Sequence, residues 1–176
     1  MTMQRFMLWL VLTLLSVSAS AQAYGSWIVG VDDQDLPYML TVDESGNAFG
    51  KWCDEDSASC FWVFASSKVK CIQGSSSSIL INTGTSAVNT TMTCGTPFKF
   101  ESTKLWRSVL SNPDVLDQIA AKSDRLGIAV ATEDGLFRVM QFSMTGSGQA
   151  FERWQSLVKP AAERLARKPR DTTMRL

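Results

Sequence analysis

Four cysteines constrain this 176-residue chain more than any other feature of its sequence. They are Cys53, Cys60, Cys71 and Cys94. Their spacing contains no C-x-x-C pair, so the pattern predicts neither a thioredoxin-like redox site nor a paired zinc knuckle. An even number of cysteines in an exported chain predicts two disulfides instead, and sequence alone allows three pairings.

Two of these pairings are supported by the neighbouring residues. We prefer Cys53 with Cys60, which closes a polar loop, and Cys71 with Cys94, which ties distant strands together. The alternative joins Cys60 to Cys71, because a tight turn at residues 66–67 would place them on adjacent strands. Each bridge should stabilise the fold by about 2–4 kcal/mol, mainly by restricting the unfolded chain.

The N-terminus has the three parts of a secretory signal. Arg5 supplies the charge, residues 6–15 form an apolar run, and residues 21–23 (Ala-Gln-Ala) form an A-x-A cleavage site. The run is shorter than the roughly 18 residues of a membrane-spanning helix. We therefore predict a cleaved signal peptide over residues 1–23, a single disulfide-stabilised β-rich domain over 24–167, and a periplasmic or secreted location without a transmembrane segment.

Runs rich in β-branched and aromatic residues, separated by turn residues, predict strands along much of the chain. These runs are residues 26–31, 38–42, 48–52, 60–65, 68–72, 78–82, 88–93, 97–101, 126–131 and 137–142. The last two form the clearest hairpin, because the Asp-Gly dipeptide at 134–135 suits a type I′ turn. We predict an α+β fold, mainly antiparallel β, with sandwich-like sheets of about 8–10 short strands.

Two helices are predicted in the second half of the chain. A short helix over residues 112–122 begins with Asn112 as its cap and Pro113 at its first position. A C-terminal helix follows residues 146–148 (Gly-Ser-Gly) and should pack on the sheet through one apolar stripe. That stripe contains Phe151, Trp154, Leu157, Val158, Ala161 and Leu165. Pro160 should kink or break this helix, because its ring clashes with the preceding turn.

The chain contains no histidine, which excludes the Ser-His-Asp and Cys-His catalytic arrangements and the H-E-x-x-H zinc site. Carboxylate catalysis needs a pair of acidic residues. Two acidic clusters are present: Asp32, Asp33 and Asp35, and Asp54, Glu55 and Asp56. Both lie in predicted loops, where acidic residues are typical of solvated turns. We predict no catalytic residue, no metal site and no cofactor.

Three other features could bind a ligand. Gly-Ser-Gly at 146–148 could present backbone N–H groups to an anion, although it is more typical of a turn before a helix. A stacking platform for a glycan or peptide could be drawn from the aromatic residues Trp27, Trp52, Phe61, Trp62, Phe64, Trp106 and Trp154, which also suit a core. The C-terminus is basic, with seven basic and two acidic residues from Arg153 onward. Its last part, residues 168–176, is predicted to be a disordered tail that could contact an anionic surface.

Several short patterns together resemble the invasion-associated locus B family of small exported β-rich bacterial proteins. They are the Lys-Trp-Cys opening at 51–53, a second cysteine seven residues later, Cys94 followed by Gly95, and residues 139–146 running into a helix that contains Ala150 and Trp154. The resemblance implies a single exported domain without known catalysis, and it transfers no functional residue.

Two classes of function remain open. The first is a non-enzymatic exported protein that binds a partner or supports the cell envelope; its partner could be another envelope protein, a glycan or an anionic surface reached by the basic C-terminus. The alternative is a hydrolase of envelope polymers that uses two carboxylates. A flat aromatic or basic surface would favour binding, whereas two carboxylates about 5–10 Å apart in one cleft would favour hydrolysis. Nucleic-acid recognition has no motif to support it.

Overall fold

A computed structural model describes residues 21–54, 59–100, 102–131 and 135–167 of the chain. Most of the predicted signal peptide lies outside the described residues, and so does the predicted tail over 168–176. Glu55, Asp56 and most of the turn before Gly135 also lie outside them.

Eleven strands and two helices occur within these ranges. The strands are β1 Gln22–Tyr24, β2 Trp27–Val31, β3 Pro37–Val42, β4 Ala48–Cys53, β5 Cys60–Ser66, β6 Ser76–Asn82, β7 Ala87–Cys94, β8 Phe98–Phe100, β9 Thr103–Leu110, β10 Arg125–Ala131 and β11 Phe137–Ser143. The helices are α1 Pro113–Lys122 and α2 Ser147–Arg167. The predicted α+β class, mainly antiparallel with a C-terminal helix on the sheet, is confirmed.

The strands form one connected antiparallel sheet in the order β1-β2-β3-β4-β5-β9-β7-β6-β10-β11, with β8 paired to β9. The first five strands are successive hairpins. The next hairpin, β6–β7, does not pair with β5. Instead β9 lies between β5 and β7, so that Val109 pairs with both Val63 and Thr93. The sequence predictions differ from the structure in three places: residues 68–72 form no strand, and β1 and β9 lie in regions where no strand was expected.

The sheet folds over on itself and encloses the core. Phe142 of β11 lies 5.6 Å from the ring of Phe49 and 6.4 Å from the ring of Phe64, although these residues belong to distant strands. The two ends of the sheet also approach each other closely. Gly146 has φ 85°, and a Cβ there would overlap the carbonyl of Tyr24, so this contact requires glycine.

Both helices pack on this core. α1 buries Leu116, Ile119 and Ala120. Asn112 caps α1 differently from the prediction: it is in the left-handed region with φ 61°, and its side chain makes no cap hydrogen bond.

The C-terminal helix α2 buries Trp154 and Ala161 and continues through Pro160 without a break. Pro160 lies on the exposed side, where water can satisfy the carbonyl that loses its donor. No helix among the described residues combines the length and apolar character needed to cross a membrane.

Two disulfides join Cys53 to Cys60 and Cys71 to Cys94, which is the preferred pairing. Cys53 and Cys60 are direct partners on β4 and β5, with their Cα atoms 3.9 Å apart. Cys71 and Cys94 join the irregular segment after β5 to the end of β7. The first bridge therefore reinforces an existing strand pair, whereas the second fixes a segment that belongs to no strand.

Candidate functional site

Four of the aromatic residues singled out in the sequence belong to the core, and Trp106 on β9 is half-buried. Trp27, Trp62, Phe64 and Trp154 are buried. The rings of Trp27 and Phe49 both pack against Trp62, edge-on and stacked respectively. These side chains pack against one another inside the folded sheet, so they are not available to a ligand.

Other aromatic residues form a row across the outside of the sheet. Tyr38 pairs with Trp52, and Trp52 pairs with Phe61, so the three side chains lie side by side on β3, β4 and β5. The rings of Tyr38 and Trp52 stack, with centroids 5.3 Å apart and planes 25° apart. The ring of Phe98 approaches Trp52 edge-on at 6.1 Å. We call Tyr38, Trp52, Phe61 and Phe98 the outer aromatic row; each ring is partly exposed to solvent.

Asp32 fixes the orientation of this row. Its Oδ2 accepts a hydrogen bond from Trp52 Nε1 at 3.1 Å, while its Oδ1 accepts from the backbone N–H groups of Gln34 and Leu36 at 2.9 Å each. Both carboxylate oxygens of Asp32 are therefore engaged in bracing a turn and an indole ring. The Cys53–Cys60 disulfide lies one residue beyond the Trp52 and Phe61 pair and holds the same two strands together.

The Tyr38 ring approaches Gly30, its partner on the neighbouring strand β2. A Cβ at Gly30 would lie 2.8 Å from the hydroxyl oxygen of Tyr38, so a side chain there would displace the tyrosine ring from its present position. Burial raises the pKa of the Tyr38 phenol above its ordinary value, and the negative charge of Asp32 raises this pKa further. The folded protein therefore favours the neutral, protonated form of the Tyr38 phenol.

Alkaline pH should destabilise the protein partly through Tyr38. Because the folded state raises the pKa of this phenol, its contribution to stability is present below the unfolded-state pKa of about 10 and is lost as pH rises through the folded-state value. We expect the free energy of unfolding to fall less steeply above about pH 10 in Tyr38→Phe than in the parent protein. Urea unfolding at a series of alkaline pH values measures this difference.

The same pKa can be observed directly. The chain contains two tyrosines, so the Tyr24→Phe variant leaves Tyr38 as the single phenol in an absorbance titration. A Tyr38 that ionises at or below the ordinary pKa of tyrosine would contradict the assigned environment.

The described members of the two acidic clusters lie between strands: Asp32, Asp33 and Asp35 between β2 and β3, and Asp54 directly after β4. Asp33 and Asp35 are exposed beside the structural Asp32. Asp54 is exposed at the start of a loop closed by a hydrogen bond from its backbone N–H to the carbonyl of Ser59, at 2.8 Å. Within the described ranges, no group of three or more cysteine or acidic side chains is arranged to hold a metal ion.

An open groove of about 1030 Å³ lies between the β3–β4 turn and strands β10 and β11. Acidic and basic side chains both line it, including Asp43, Arg125 and Arg138. Asp43 braces its own turn: its Oδ1 accepts from the backbone of Ser45 and Asn47, and its Oδ2 accepts from the Asn47 amide. The groove therefore has mixed charge, and one of its carboxylates is committed to local structure.

The turn before α2 is structural. Ser147 is buried, and its hydroxyl donates a hydrogen bond of 2.5 Å to the carbonyl of Ala120 at the end of α1. This bond agrees with the interpretation of residues 146–148 as a strand-to-helix turn. At the other end of α2, Arg164 donates to the carbonyl of Asp35 at 3.2 Å, so the described part of the basic C-terminus is docked on the β2–β3 turn.

Sequence reasoning missed a buried lysine at the centre of the molecule. Lys51 Nζ lies 2.6 Å from Asp117 Oδ1, and the same oxygen accepts from Trp62 Nε1 at 2.7 Å. The ammonium group also lies over the rings of Phe151 and Trp154, 4.9 Å and 5.0 Å from their centroids. Lys51 thus joins β4, β5 and both helices. The sequence did contain a signal for this burial. Lys51 lies midway between Phe49 and Cys53, which both face inward, and alternation along the strand therefore places Lys51 inside as well.

Comparison with known proteins gives a fold but no family assignment. No family model matches the chain, and no curated protein matches it. Among solved structures, invasion associated protein B from Bartonella henselae matches with a TM-score of 0.50 and 13% sequence identity. The match covers 80% of this chain and 99% of that protein. The resemblance predicted from the sequence is therefore confirmed at the level of the fold, over nearly the whole of the matching protein.

Proposed function

We propose that this chain is an exported, non-enzymatic binding protein that contacts its partner through the outer aromatic row. The observation that carries the proposal is the contiguous, partly exposed surface of Tyr38, Trp52 and Phe61 on three adjacent strands. Aromatic residues are enriched at binding surfaces because each adds a large contact area while few torsions are immobilised. A row on paired strands is also more rigid than one on a loop.

The fixed orientation of Trp52 supports binding. Its indole is held by the hydrogen bond to Asp32 and by the stacked ring of Tyr38 before any partner arrives. A preorganised surface binds more tightly because less side-chain freedom is lost on association. The partner that fits is one with a flat apolar surface, such as the face of a sugar ring or an apolar side chain of an envelope protein.

Two disulfides fit a protein that works outside the cytoplasm, where thiols are oxidised. We propose that it is periplasmic or secreted and that its signal peptide is removed after Ala23. Cleavage there would remove the first two residues of β1, which pair with Ile28 and Val29, and would leave Tyr24 paired with Trp27.

The experiment that tests this proposal measures how much partner is captured by variants of the outer aromatic row and by a control variant. Tagged protein is isolated from the exported fraction, its mass is measured to locate the mature N-terminus, and it is used to capture partners from envelope extract. Trp52→Ala and Phe61→Ala should reduce capture by about 30-fold, as expected for a loss of about 2 kcal/mol at the centre of an interface. Phe137→Ala is the matched control, because Phe137 is an exposed ring on β11, away from the row.

Two outcomes would refute the proposed binding function. The first is capture that survives in Trp52→Ala while thermal unfolding shows that the fold is intact. The second is hydrolysis of an envelope polymer by the parent protein, which would favour the alternative of a carboxylate-dependent hydrolase. A mature protein that retains Met1 would contradict the proposed export by signal cleavage.

A further inference from the structure

A cluster of exposed lysines lies on the β8–β9 hairpin. Lys99 and Lys104 are direct partners across β8 and β9. Trp106 follows Lys104 by two residues on β9, so both side chains lie on the same face of the hairpin. Lys104 Nζ is 5.0 Å from the centroid of the Trp106 ring, and Lys70 Nζ reaches the same ring at 5.8 Å. We call Lys70, Lys99 and Lys104 the lysine patch; all three residues are exposed.

Among the residues that the structure describes, the lysine patch has no ion pair with a carboxylate. Like charges placed directly opposite each other on neighbouring strands are destabilising. The ion pair found among the described residues, between Lys51 and Asp117, lies in the core and leaves the patch lysines without a described carboxylate partner. Residues 24–101 contain only four basic residues against nine acidic ones, and two of those four are in this patch. Two of the three patch charges thus come from a mainly acidic stretch of the chain, and Lys104 follows directly after it.

Ile72 is an exposed apolar residue on the segment that carries Lys70. It lies two residues after Lys70 and is 81% exposed, the largest exposed fraction among the large hydrophobic side chains of the described residues. The segment that carries it is anchored: the Cys71–Cys94 disulfide and the hydrogen bond from Gly74 N–H to the Cys94 carbonyl, at 2.8 Å, fix its backbone. An apolar side chain is therefore held in solvent on the same anchored segment that carries Lys70.

The opposite face of the hairpin explains how the patch is presented. Phe98 and Leu105 pair across β8 and β9, one residue before Lys99 and one residue after Lys104. Leu105 is buried, and Phe98 packs against Trp52. The hairpin therefore sits on the body of the protein through its apolar face and turns its basic face away from that contact. Trp106 restricts the lysine side chains through cation–π contacts.

From this geometry we propose that the lysine patch, Trp106 and Ile72 form a docking surface for an anionic membrane. Clustered lysines bind anionic headgroups, tryptophan is favoured at the boundary between water and lipid, and an exposed isoleucine gains free energy by entering the apolar layer. A soluble polyanion would use the lysines alone. Ile72 therefore distinguishes a lipid surface from an anionic glycan.

Vesicle binding tests the proposal. The parent protein should bind vesicles of phosphatidylcholine and phosphatidylglycerol in a salt-sensitive manner, and should bind pure phosphatidylcholine vesicles much more weakly. Each lysine near the surface should contribute about fivefold, so Lys70→Gln, Lys99→Gln and Lys104→Gln combined should reduce the affinity by about 100-fold. The matched control removes three positive charges elsewhere, at the exposed residues Lys122, Arg153 and Lys159, and should reduce affinity far less.

Ile72→Ser supplies the second readout. It should weaken vesicle binding by about tenfold, because it removes the apolar side chain that enters the lipid layer in the proposed complex, while binding to heparin should not change. The proposal is overturned if the patch variant and the charge-matched control bind vesicles equally. It is also overturned if Ile72→Ser leaves vesicle binding unchanged while the patch variant loses heparin binding, because the ligand would then be a soluble anionic glycan.

Discussion

Replacing Trp154 by alanine should lower the free energy of unfolding by about 3–5 kcal/mol, the range expected for truncating a buried tryptophan. Trp154 is 6% exposed and lies on the face of α2 that contacts the sheet. Its ring packs against Phe151, with centroids 5.6 Å apart, and covers the ammonium group of Lys51 at 5.0 Å. The substitution would create a cavity and would also open a buried charge to partial solvation.

Two further variants separate these effects. Gln155→Ala changes an exposed neighbour on the same helix and should alter stability by less than about 0.5 kcal/mol. Trp154→Phe keeps an aromatic ring over Lys51 and should lose less than Trp154→Ala. Urea unfolding followed by circular dichroism measures all three. If Trp154→Ala unfolds at the same urea concentration as the parent, α2 is not docked on the sheet in solution.

Apolar alternation in the sequence predicted most strands well. It failed at residues 68–72, which alternate but form no strand, and at β9, which forms a strand without simple alternation. Residues 68–72 alternate like a strand. The Ser66 hydroxyl, however, accepts hydrogen bonds from the backbone N–H groups of Lys68 and Val69, both at 3.0 Å. These bonds turn the chain out of the sheet at the end of β5. Local side-chain bonding to the backbone therefore outcompeted strand pairing.

Strand β9 shows the opposite error. Its residues Lys104, Trp106 and Arg107 interrupt a simple apolar pattern, so the run did not resemble a strand. It is nevertheless paired on both sides over part of its length, and Leu110 is buried. Its position between β5 and β7 depends on long-range pairing that no local window contains.

The candidate binding surfaces were only partly predictable for the same reason. The sequence named Trp52 and Phe61 among its aromatic residues but could not separate them from the core tryptophans. Tyr38 joins them only because the β3–β4 register places it opposite Trp52. The lysine patch likewise depends on the β8–β9 register and on a segment brought in by Cys71. Residue types were readable from the chain, whereas their assembly required the pairing of strands.

The two disulfides should differ in their contribution to stability. The Cys71–Cys94 bridge spans 23 residues and the Cys53–Cys60 bridge spans 7. Chain entropy alone predicts a loss of about 3 kcal/mol for the longer loop and about 2 kcal/mol for the shorter one. Cys53 and Cys60 also remain direct partners in a long strand pair when their bridge is absent. Cys71 belongs to no strand, so its segment depends more heavily on the covalent link.

We therefore expect Cys71→Ala with Cys94→Ala to lower the free energy of unfolding by about 3 kcal/mol, and Cys53→Ala with Cys60→Ala to lower it by about 2 kcal/mol or less. Urea unfolding of the two double variants, with the remaining bridge verified by mass spectrometry, measures both losses. The longer bridge also anchors the segment that carries Ile72 and Lys70, whose Nζ lies 5.8 Å from the Trp106 ring. Its removal should therefore weaken binding to anionic vesicles under conditions where the variant is still folded. A larger loss of stability on removing Cys53–Cys60 would show that the β4–β5 pair depends on its disulfide more than on its register.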